Sequence, residues 1–161
     1  MIAKDKILDR RKLVELVASY RAAGKTVALA NGLFDVLHVG HLRYLEGAAA
    51  KADVLVVAVN DDASARTLKG PLRPFVPEQE RAELVAGFAC VDHVTIFGER
   101  SVEAVLRALV PDVHCKGTDY TEETVPEREV AKELGIRVAI VGDPKDHATS
   151  SLIETIRKRP T

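Results

Sequence analysis

Cysteines are few in this sequence, and long apolar runs are missing. Cys90 and Cys115 are the two cysteines among 161 residues. Their separation matches no metal-ligand spacing, so two small buried residues in a reducing compartment are the simplest interpretation. No apolar run approaches the ~20 residues that a membrane-spanning helix needs. Residues 1–11 are polar and carry both charge signs, unlike a signal peptide. We therefore expect a cytoplasmic protein.

A strong excess of charge of either sign is also missing. The formal net charge is −1, so no overall field attracts nucleic acid or an acidic membrane. Neither G-x-x-x-x-G-K-[ST] nor a G-x-G-x-x-G after the first predicted strand is present, which excludes a P-loop protein and disfavours ordinary dinucleotide binding. No combination of serine, histidine and acid suggests a hydrolase.

What is present is a regular alternation of apolar strands and amphipathic helices. The hydrophobic share of 47% and the charged share of 29% are typical of a globular protein with a real core. The patterns predict helices over 9–23, from about 41, 78–88, 102–109, 127–134 and 150–158, and strands over 27–30, 54–59, 94–97, 113–116 and 137–141. Gly24 and Gly135 are placed to end two helices, and Ser101 to cap another. The polar stretch 60–77 is expected to be a loop or a single helical turn.

This alternation predicts an α/β fold, a single-domain Rossmann-like three-layer sandwich over residues 1–161, with the helix of residues 1–24 packed on it. The commonest order for five parallel strands is 3-2-1-4-5, which puts a switch point between the first and fourth strands. Ligands bind beyond the carboxyl ends of the strands at such a point. The segments that follow these two strands, 31–41 and 116–120, are therefore expected to meet at one site.

The stretch from Thr26 to Leu45, TVALANGLFDVLHVGHLRYL, contains the most informative residues. His38 and His41 lie where a predicted strand gives way to a helix, and their spacing allows them to share one helical face. A helix N-terminus gathers unpaired N–H groups and partial positive charge, which suits an anion. Gly40 between them removes a side chain where a phosphate could approach the backbone.

Three further polar clusters follow predicted strands or open helices. They are Leu68–Pro74, Lys116–Tyr120 and Ala148–Ser151. Together with the histidine segment they supply imidazoles, lysines, an arginine, hydroxyls and a helix N-terminus. This set suits a polyphosphate better than any other common ligand.

Nucleotidyl transfer makes demands that these residues meet. A phosphate monoester acceptor has a second pKa of about 6, so it is already anionic at neutral pH and needs no general base. The protein must align two phosphates, offset the repulsion between anions and stabilise charge on the equatorial and leaving oxygens. Histidine and lysine donors do this, and magnesium usually helps.

The string NGLFDVLHVGH resembles the His-x-Gly-His signature of the nucleotidyltransferase superfamily, which includes cytidylyltransferases. From Thr26 to Arg159 the chain is most similar to the D-glycero-β-D-manno-heptose 1-phosphate adenylyltransferases, which make ADP-heptose for lipopolysaccharide, through VAVNDDASARTLKGPLRP and KGTDY. The resemblance implies an enzyme that transfers AMP from ATP to a sugar 1-phosphate, with Mg²⁺, releasing pyrophosphate. Nothing resembles the sugar kinase fused to some members, so a stand-alone form is expected.

The resemblance also implies roles for individual residues. His38 and His41 would contact the triphosphate and stabilise the transition state. Lys69 would bridge the acceptor phosphate and the α-phosphate, and Arg73 would lie near the same phosphates. The backbone of the loop after the first strand would approach the α-phosphate through Asn31, Gly32, Leu33 and Phe34.

On the nucleotide side, Gly117 and Asp119 match a string that faces the base and ribose, and Thr149 and Ser150 match hydroxyls that hold the β- and γ-phosphates. The family usually has Ser-Thr-Thr in this cluster, and Ala148 occupies the position of the serine. One hydroxyl contact is therefore expected to be missing or to come from Ser151. No direct magnesium ligand is predicted.

Other interpretations stay open. One is a cytidylyltransferase that acts on glycerol 3-phosphate or another small alcohol phosphate, although the Arg-Thr-Glu-Gly string typical of the glycerol enzymes is absent. Another is a non-catalytic nucleotide-binding module.

The expected partners are a nucleoside triphosphate and a phosphorylated small-molecule acceptor, without nucleic acid or membrane, and a homodimer is one alternative. Arg81 is interpreted as a solvated helix charge, His93 and His114 as core or edge residues, and His147 as either a phosphate contact or a surface residue.

Overall fold

The computed structural model describes residues 1–144 and 146–160, and its centre is a parallel sheet. The five strands are β1 (Val27–Gly32), β2 (Val54–Asn60), β3 (His93–Phe97), β4 (Val113–Lys116) and β5 (Arg137–Ile140). Their order is β3-β2-β1-β4-β5, and all neighbouring pairs are parallel. The predicted fold class and strand order are confirmed.

Helices cover both faces of this sheet. They are α1 (Arg10–Ala22), α2 (Val39–Ala49), α3 (Asp62–Lys69), α4 (Glu78–Ala86), α5 (Glu103–Leu109), α6 (Arg128–Leu134) and α7 (Thr149–Lys158), preceded by a 3₁₀ turn over Ala3–Lys6. Apart from α3, the predicted helices and strands agree with these bounds to within two residues at either end. Gly24 and Gly135 follow their helices with φ of 74° and 70°, as predicted for helix-ending glycines.

The strands alternate their side chains between two apolar cores because successive residues of a strand point to opposite faces. Ala28 and Ala30 of β1 belong to one core, with the buried side of α2 and α4. Val27 and Leu29 belong to the other, where they meet α1, α5 and α6. Every residue of β2 is buried, as expected for an inner strand covered on both faces.

Two expectations about local structure were wrong. The polar stretch after β2 is not a loop with at most one turn, because α3 occupies eight of its residues and Asp61 caps it by accepting a bond from Ser64 N at 2.7 Å. The apolar pattern gave no sign of α3, since Ser64 and Ala65 are its buried residues. Ser101 is not at the N-cap of α5 as predicted: that position is Val102, and Ser101 lies one residue earlier, where its hydroxyl accepts a bond from the backbone N–H of Glu103 at 3.4 Å.

The two cysteines are free thiols, Cys115 buried and Cys90 partly buried. Within the described part of the chain, none of the helices is both long enough and apolar enough to cross a bilayer. The carboxyl ends of all five strands lie at one edge of the sheet, where the loops that carry the histidines and lysines gather.

Candidate functional site

A cleft of about 840 Å³ opens at the carboxyl ends of the strands. The residues singled out from the sequence all line it: Asn31, Gly32, Leu33, Phe34, His38, His41, Lys69, Arg73, Gly117, Asp119, Thr149 and Ser150. They come from four separate stretches of the chain, which the parallel topology brings together at the switch point next to β1.

The side chains of His38 and His41 both accept backbone hydrogen bonds at the N-terminus of α2. His38 is the N-cap residue, and its Nδ1 accepts a bond from Gly40 N at 3.1 Å. Nδ1 of His41 accepts a bond from the backbone N–H of His38 at 3.2 Å. Because Nδ1 of each ring is an acceptor, the proton of each neutral imidazole is on Nε2. Both rings, with centroids 3.9 Å apart, therefore keep an N–H donor that the backbone does not use.

Gly40 leaves room for the ring that forms this cap. A Cβ at this position would lie 2.9 Å from the ring of His38 and 3.3 Å from Cβ of His147. The imidazole of His38 lies beside Gly40, and Gly40 itself lines the cleft. That a phosphate approaches the backbone here stays a prediction. Any larger residue would displace the ring and open the cap.

Burial keeps both histidines uncharged near neutral pH. It lowers the pKa of His38, with a smaller contribution from the charge of His147. It also lowers the pKa of His41 to about 4, with a smaller contribution from His38. An anion placed beside the two rings would oppose this shift, because a nearby negative charge favours the imidazolium.

Asp35 holds the loop between β1 and α2 to the loop that follows α3. Its buried carboxylate accepts bonds from Nε of Arg73 at 2.7 Å and from the backbone N–H groups of Phe75 and Val76 at 3.0 Å. Burial by itself would raise the pKa of Asp35, but these bonds outweigh it, and the pKa lies below its ordinary value. This role of Asp35 could not be predicted from the sequence, because its partners lie 38 or more residues further along the chain.

Arg81 is buried, and the expectation of a solvated helix charge was wrong. Its side chain has no exposed surface. It donates to the carbonyl of Leu33 at 2.6 Å, to the carbonyl of Val76 at 2.8 Å and to the carboxylate of Asp62 at 2.8 Å. The planar guanidinium can serve three acceptors in fixed directions, which a lysine cannot do. Arg81 thus fixes the loop after β1, the loop after α3 and the start of α3 relative to one another.

The start of α7 is bound to the histidine loop by Thr149. Its hydroxyl donates to the carbonyl of Asp35 at 2.9 Å. Ala148, at the N-cap, has no side chain that could cap the helix. Phe34 and Val36 on either side of Asp35 have φ of 52° and 56°, a left-handed conformation that is strained for residues with a side chain. Thr149 and Arg81 are among the contacts that hold this strained loop.

Asn31 is positioned by two groups on β4 and α2. Its Oδ1 accepts from Nε2 of His114 at 3.0 Å, and its N–H donates to Oη of Tyr44 at 3.3 Å. Burial lowers the pKa of His114 to about 3, with a smaller effect from the charge of Lys116. His114 and His93 are both buried in strands, as the sequence predicted.

The remaining cations differ in how they are held. Lys69, the last residue of α3, is exposed, and Gly70 ends the helix after it with φ of 101°. Lys116 is buried and lies 3.7 Å from a carboxylate oxygen of Glu127. His147 is partly exposed at the mouth of the cleft, and its Nε2 lies 3.5 Å from Asp146. Within 1–144 and 146–160, no group of three or more His, Cys, Asp or Glu residues could hold a metal ion.

Comparison with known proteins adds independent information. A family model described as cytidylyltransferase-like matches residues 29–157. The bifunctional protein HldE of Syntrophotalea carbinolica is 42% identical over 154 residues, which cover 96% of this chain and 31% of that protein. The bifunctional protein HldE of Geotalea uraniireducens is 44% identical over 155 residues, again covering 96% and 31%. This chain therefore spans less than a third of the length of these relatives.

A solved structure is also similar. The lipopolysaccharide core biosynthesis protein of Thermoplasma volcanium superposes with a TM-score of 0.65 at 26% sequence identity. The match covers 76% of this chain and all of the other chain.

We expect replacement of Arg81 to be strongly destabilising. Arg81→Met should lower the free energy of unfolding by about 3 kcal/mol or more, because it leaves buried carbonyls without donors. Arg107→Met is the control, since Arg107 forms an exposed pair with Glu133 on the surface, and its loss should cost about 1 kcal/mol or less. Urea unfolding measures both; equal effects would contradict the role given to Arg81.

The lowered pKa of His41 also predicts how stability depends on pH. Between about pH 6.5 and pH 4 the unfolded chain takes up a proton at this residue and the folded chain does not, so stability falls as the pH falls. His38, His93 and His114 contribute in the same direction. His41→Gln should reduce the loss of stability between pH 7.5 and pH 4.5 by about 2 kcal/mol. An unchanged loss in this variant would show that the pKa of His41 is the same in the folded and unfolded protein, which would contradict the effect of burial.

Proposed function

This protein belongs to the cytidylyltransferase-like family, and on that premise we propose that it is a nucleotidyltransferase acting on a phosphorylated sugar. A phosphate oxygen of the acceptor attacks the α-phosphorus of a nucleoside triphosphate. The bond from the α-phosphorus to the bridging oxygen breaks, and pyrophosphate leaves. The triphosphate is ATP and the acceptor is D-glycero-D-manno-heptose 1-phosphate, so the product is ADP-heptose.

The reciprocal cap of His38 and His41 is the observation that carries this proposal. It leaves two neutral N–H donors, one on each Nε2, beside the N-terminus of α2. Donors fixed before the ligand arrives need no reorganisation when charge grows on the phosphate oxygens, which is how electrostatic preorganisation lowers a barrier. The two imidazoles therefore contact the triphosphate and stabilise charge on the α-phosphate and the leaving pyrophosphate.

The N-terminus of α7 binds the rest of the triphosphate. Its first turn has no side-chain cap in the described structure, so backbone N–H groups remain for β- and γ-phosphate oxygens. Ser150 adds a hydroxyl in this turn. The hydroxyl of Thr149 already donates to Asp35, so Thr149 contributes by holding the loop against α7 and through its backbone N–H.

Lys69 and Arg73 receive the acceptor phosphate. Lys69 is exposed at the end of α3, and Nε of Arg73 is fixed by Asp35 while its guanidinium lines the cleft. Two anions must approach each other in this reaction, and cations on the acceptor side offset their repulsion. The acceptor is already ionised at neutral pH, so the proposal requires no general base.

Magnesium enters with the triphosphate. Mg²⁺ usually binds phosphate oxygens, several waters and at most one or two carboxylates, so a cluster of acidic ligands is not required for it. When bound, the ion neutralises phosphate charge. The side chains that approach the same phosphates are the two imidazoles and Lys69, which orient the triphosphate and the acceptor.

The choice of substrates rests on similarity as well as geometry. The heptose assignment is supported by the resemblance over Thr26–Arg159 and by the likeness to a lipopolysaccharide core biosynthesis protein. The family description keeps a cytidylyltransferase as the second candidate. A non-catalytic binding module is disfavoured, because such a module would have no use for Lys69 and Arg73 on the acceptor side of the cleft.

A grid of substrates tests the proposal. ATP, CTP, GTP and UTP are each combined with heptose 1-phosphate, another sugar 1-phosphate and glycerol 3-phosphate, and pyrophosphate is measured with Mg²⁺ and after chelation. We expect the fastest release with ATP and heptose 1-phosphate, and none without Mg²⁺. Fastest release with CTP and glycerol 3-phosphate would instead support the second candidate. Nucleotide binding without turnover for any acceptor would exclude an enzyme.

Substitution of His41 and of Lys69 should affect different steps. His41→Ala should lower kcat at least about a hundredfold, on the scale seen for a lost charge-stabilising donor. Lys69→Ala should raise the KM for the acceptor more than the Kd for the triphosphate, because it removes a cation from the acceptor side. Lys12→Ala, at an exposed position of α1, is the control and should change neither. Near-normal turnover in His41→Ala would contradict the role of the imidazoles.

A further inference from the structure

A buried ion pair lines the cleft on the side of β4, and the proposed function gives it no role. Lys116 is the last residue of β4, and Glu127 directly precedes α6. Their side chains are 10% and 6% exposed, and Nζ of Lys116 lies 3.7 Å from Oε2 of Glu127. Nζ also lies 4.8 Å from the centre of the Tyr120 ring.

The pair is incompletely satisfied. Oε2 of Glu127 is buried and accepts no hydrogen bond within the part of the chain that the structure describes. A separation of 3.7 Å is too long for a hydrogen bond to Lys116. Keeping a carboxylate oxygen away from water without a donor is costly, so an orphaned oxygen of this kind indicates that a partner absent from the structure binds there. Both residues line the cleft, so a rotation of the Glu127 carboxylate that turns Oε2 toward the cleft brings this oxygen within reach of a ligand.

The position in the sheet indicates which part of the substrate meets this pair. Lys69 and Arg73 follow β2, on one side of β1, whereas Lys116 and Glu127 follow β4, on the other. If the α-phosphate lies over β1 beside the histidines, the acceptor occupies the β2 side. The nucleoside then occupies the β4 side. This step rests on the proposed function.

We propose that Lys116 and Glu127 read the base of the triphosphate and select one that carries an exocyclic amino group next to an unprotonated ring nitrogen. The amino group donates to Oε2 of Glu127, and the ring nitrogen accepts from Nζ of Lys116. Adenine and cytosine both present this edge. On the same Watson–Crick edge, guanine, uracil and hypoxanthine place a carbonyl oxygen where the amino group would be, which would leave two acceptors facing each other. The amino group of guanine adjoins an unprotonated nitrogen, N3, only on the side of the ring that faces the sugar.

The pair suits a base better than a ribose. A ribose presents two hydroxyl donors, which a carboxylate can bind without help from a neighbouring cation. Glu127 offers an acceptor and Lys116 a donor side by side. This arrangement matches the amino group and the neighbouring ring nitrogen of adenine or cytosine. The Tyr120 ring next to Lys116 adds an aromatic surface at the same place, which suits a planar ring.

The test compares ATP with inosine triphosphate, which differs from ATP by a carbonyl in place of the amino group and by a proton on the ring nitrogen. Calorimetric binding to the wild-type protein should favour ATP by about tenfold to a hundredfold, the scale of one hydrogen bond to a charged group. In Glu127→Gln the preference should fall below about threefold, because the amide can rotate to present either a donor or an acceptor. Glu133→Gln, an exposed position on the same helix α6, should keep the wild-type preference.

Deoxyadenosine triphosphate distinguishes base reading from ribose reading. The ratio of its affinity to that of ATP should be the same in the wild type and in Glu127→Gln. A change in this ratio, with the preference over inosine triphosphate intact, would overturn the proposal in favour of a ribose contact. Equal binding of ATP and inosine triphosphate by the wild type would by itself overturn the proposal. The proposal can therefore be tested even if Glu127→Gln folds poorly. These are binding measurements without acceptor, so they are independent of whether the substrate grid shows turnover.

Discussion

The mutual cap between His38 and His41 is the constraint on which the site depends. Each imidazole uses Nδ1 to accept a backbone N–H at the start of α2, and this fixes both the tautomer and the orientation of the ring. The rings are therefore part of the helix terminus as well as candidates for ligand contact. Gly40 has to be a glycine for the cap to close, and burial keeps both rings neutral.

Two buried charged groups hold the loops that surround this cap. Asp35 binds the loop after α3 through Arg73 and two backbone N–H groups, and Arg81 connects that loop to the loop after β1. Neither residue needs to touch a substrate for its loss to disturb the site. Their side chains are hydrogen-bonded to the segments that carry the residues proposed to face the phosphates, so positional accuracy at the cleft depends on them.

The sequence predicted the sheet and the location of the cleft well, because these depend on local patterns. Strands such as β2 are continuous apolar runs, and the order of five alternating units follows from connection rules. The histidine segment could be recognised since both residues lie within one short stretch. Arg81 could not be recognised, because its burial results from three acceptors distant in sequence that meet only in the fold. Its helical context looked the same as that of a solvated arginine.

The same limit explains the other differences. Helix α3 was missed because it packs through a serine and an alanine, which give no apolar periodicity. The contact between Gly40 and the ring of His38 was not foreseen, because spacing along the chain cannot reveal it. Thr149 and Ser150 were treated as equivalent hydroxyls, yet Thr149 binds a backbone carbonyl of the histidine loop. In each case the missing information was the direction of a side chain.

The most direct test of the account is a ¹H–¹⁵N spectrum of the imidazole rings of His38 and His41, recorded with and without a non-hydrolysable ATP analogue and Mg²⁺ at pH 7.5. In the free protein both rings should be neutral with the proton on Nε2. With the analogue bound, the Nε2 signals of both rings should shift, and the pKa of His41 should rise from about 4. Saturated binding that leaves both Nε2 signals at their free positions would contradict the claim that these imidazoles hold the triphosphate.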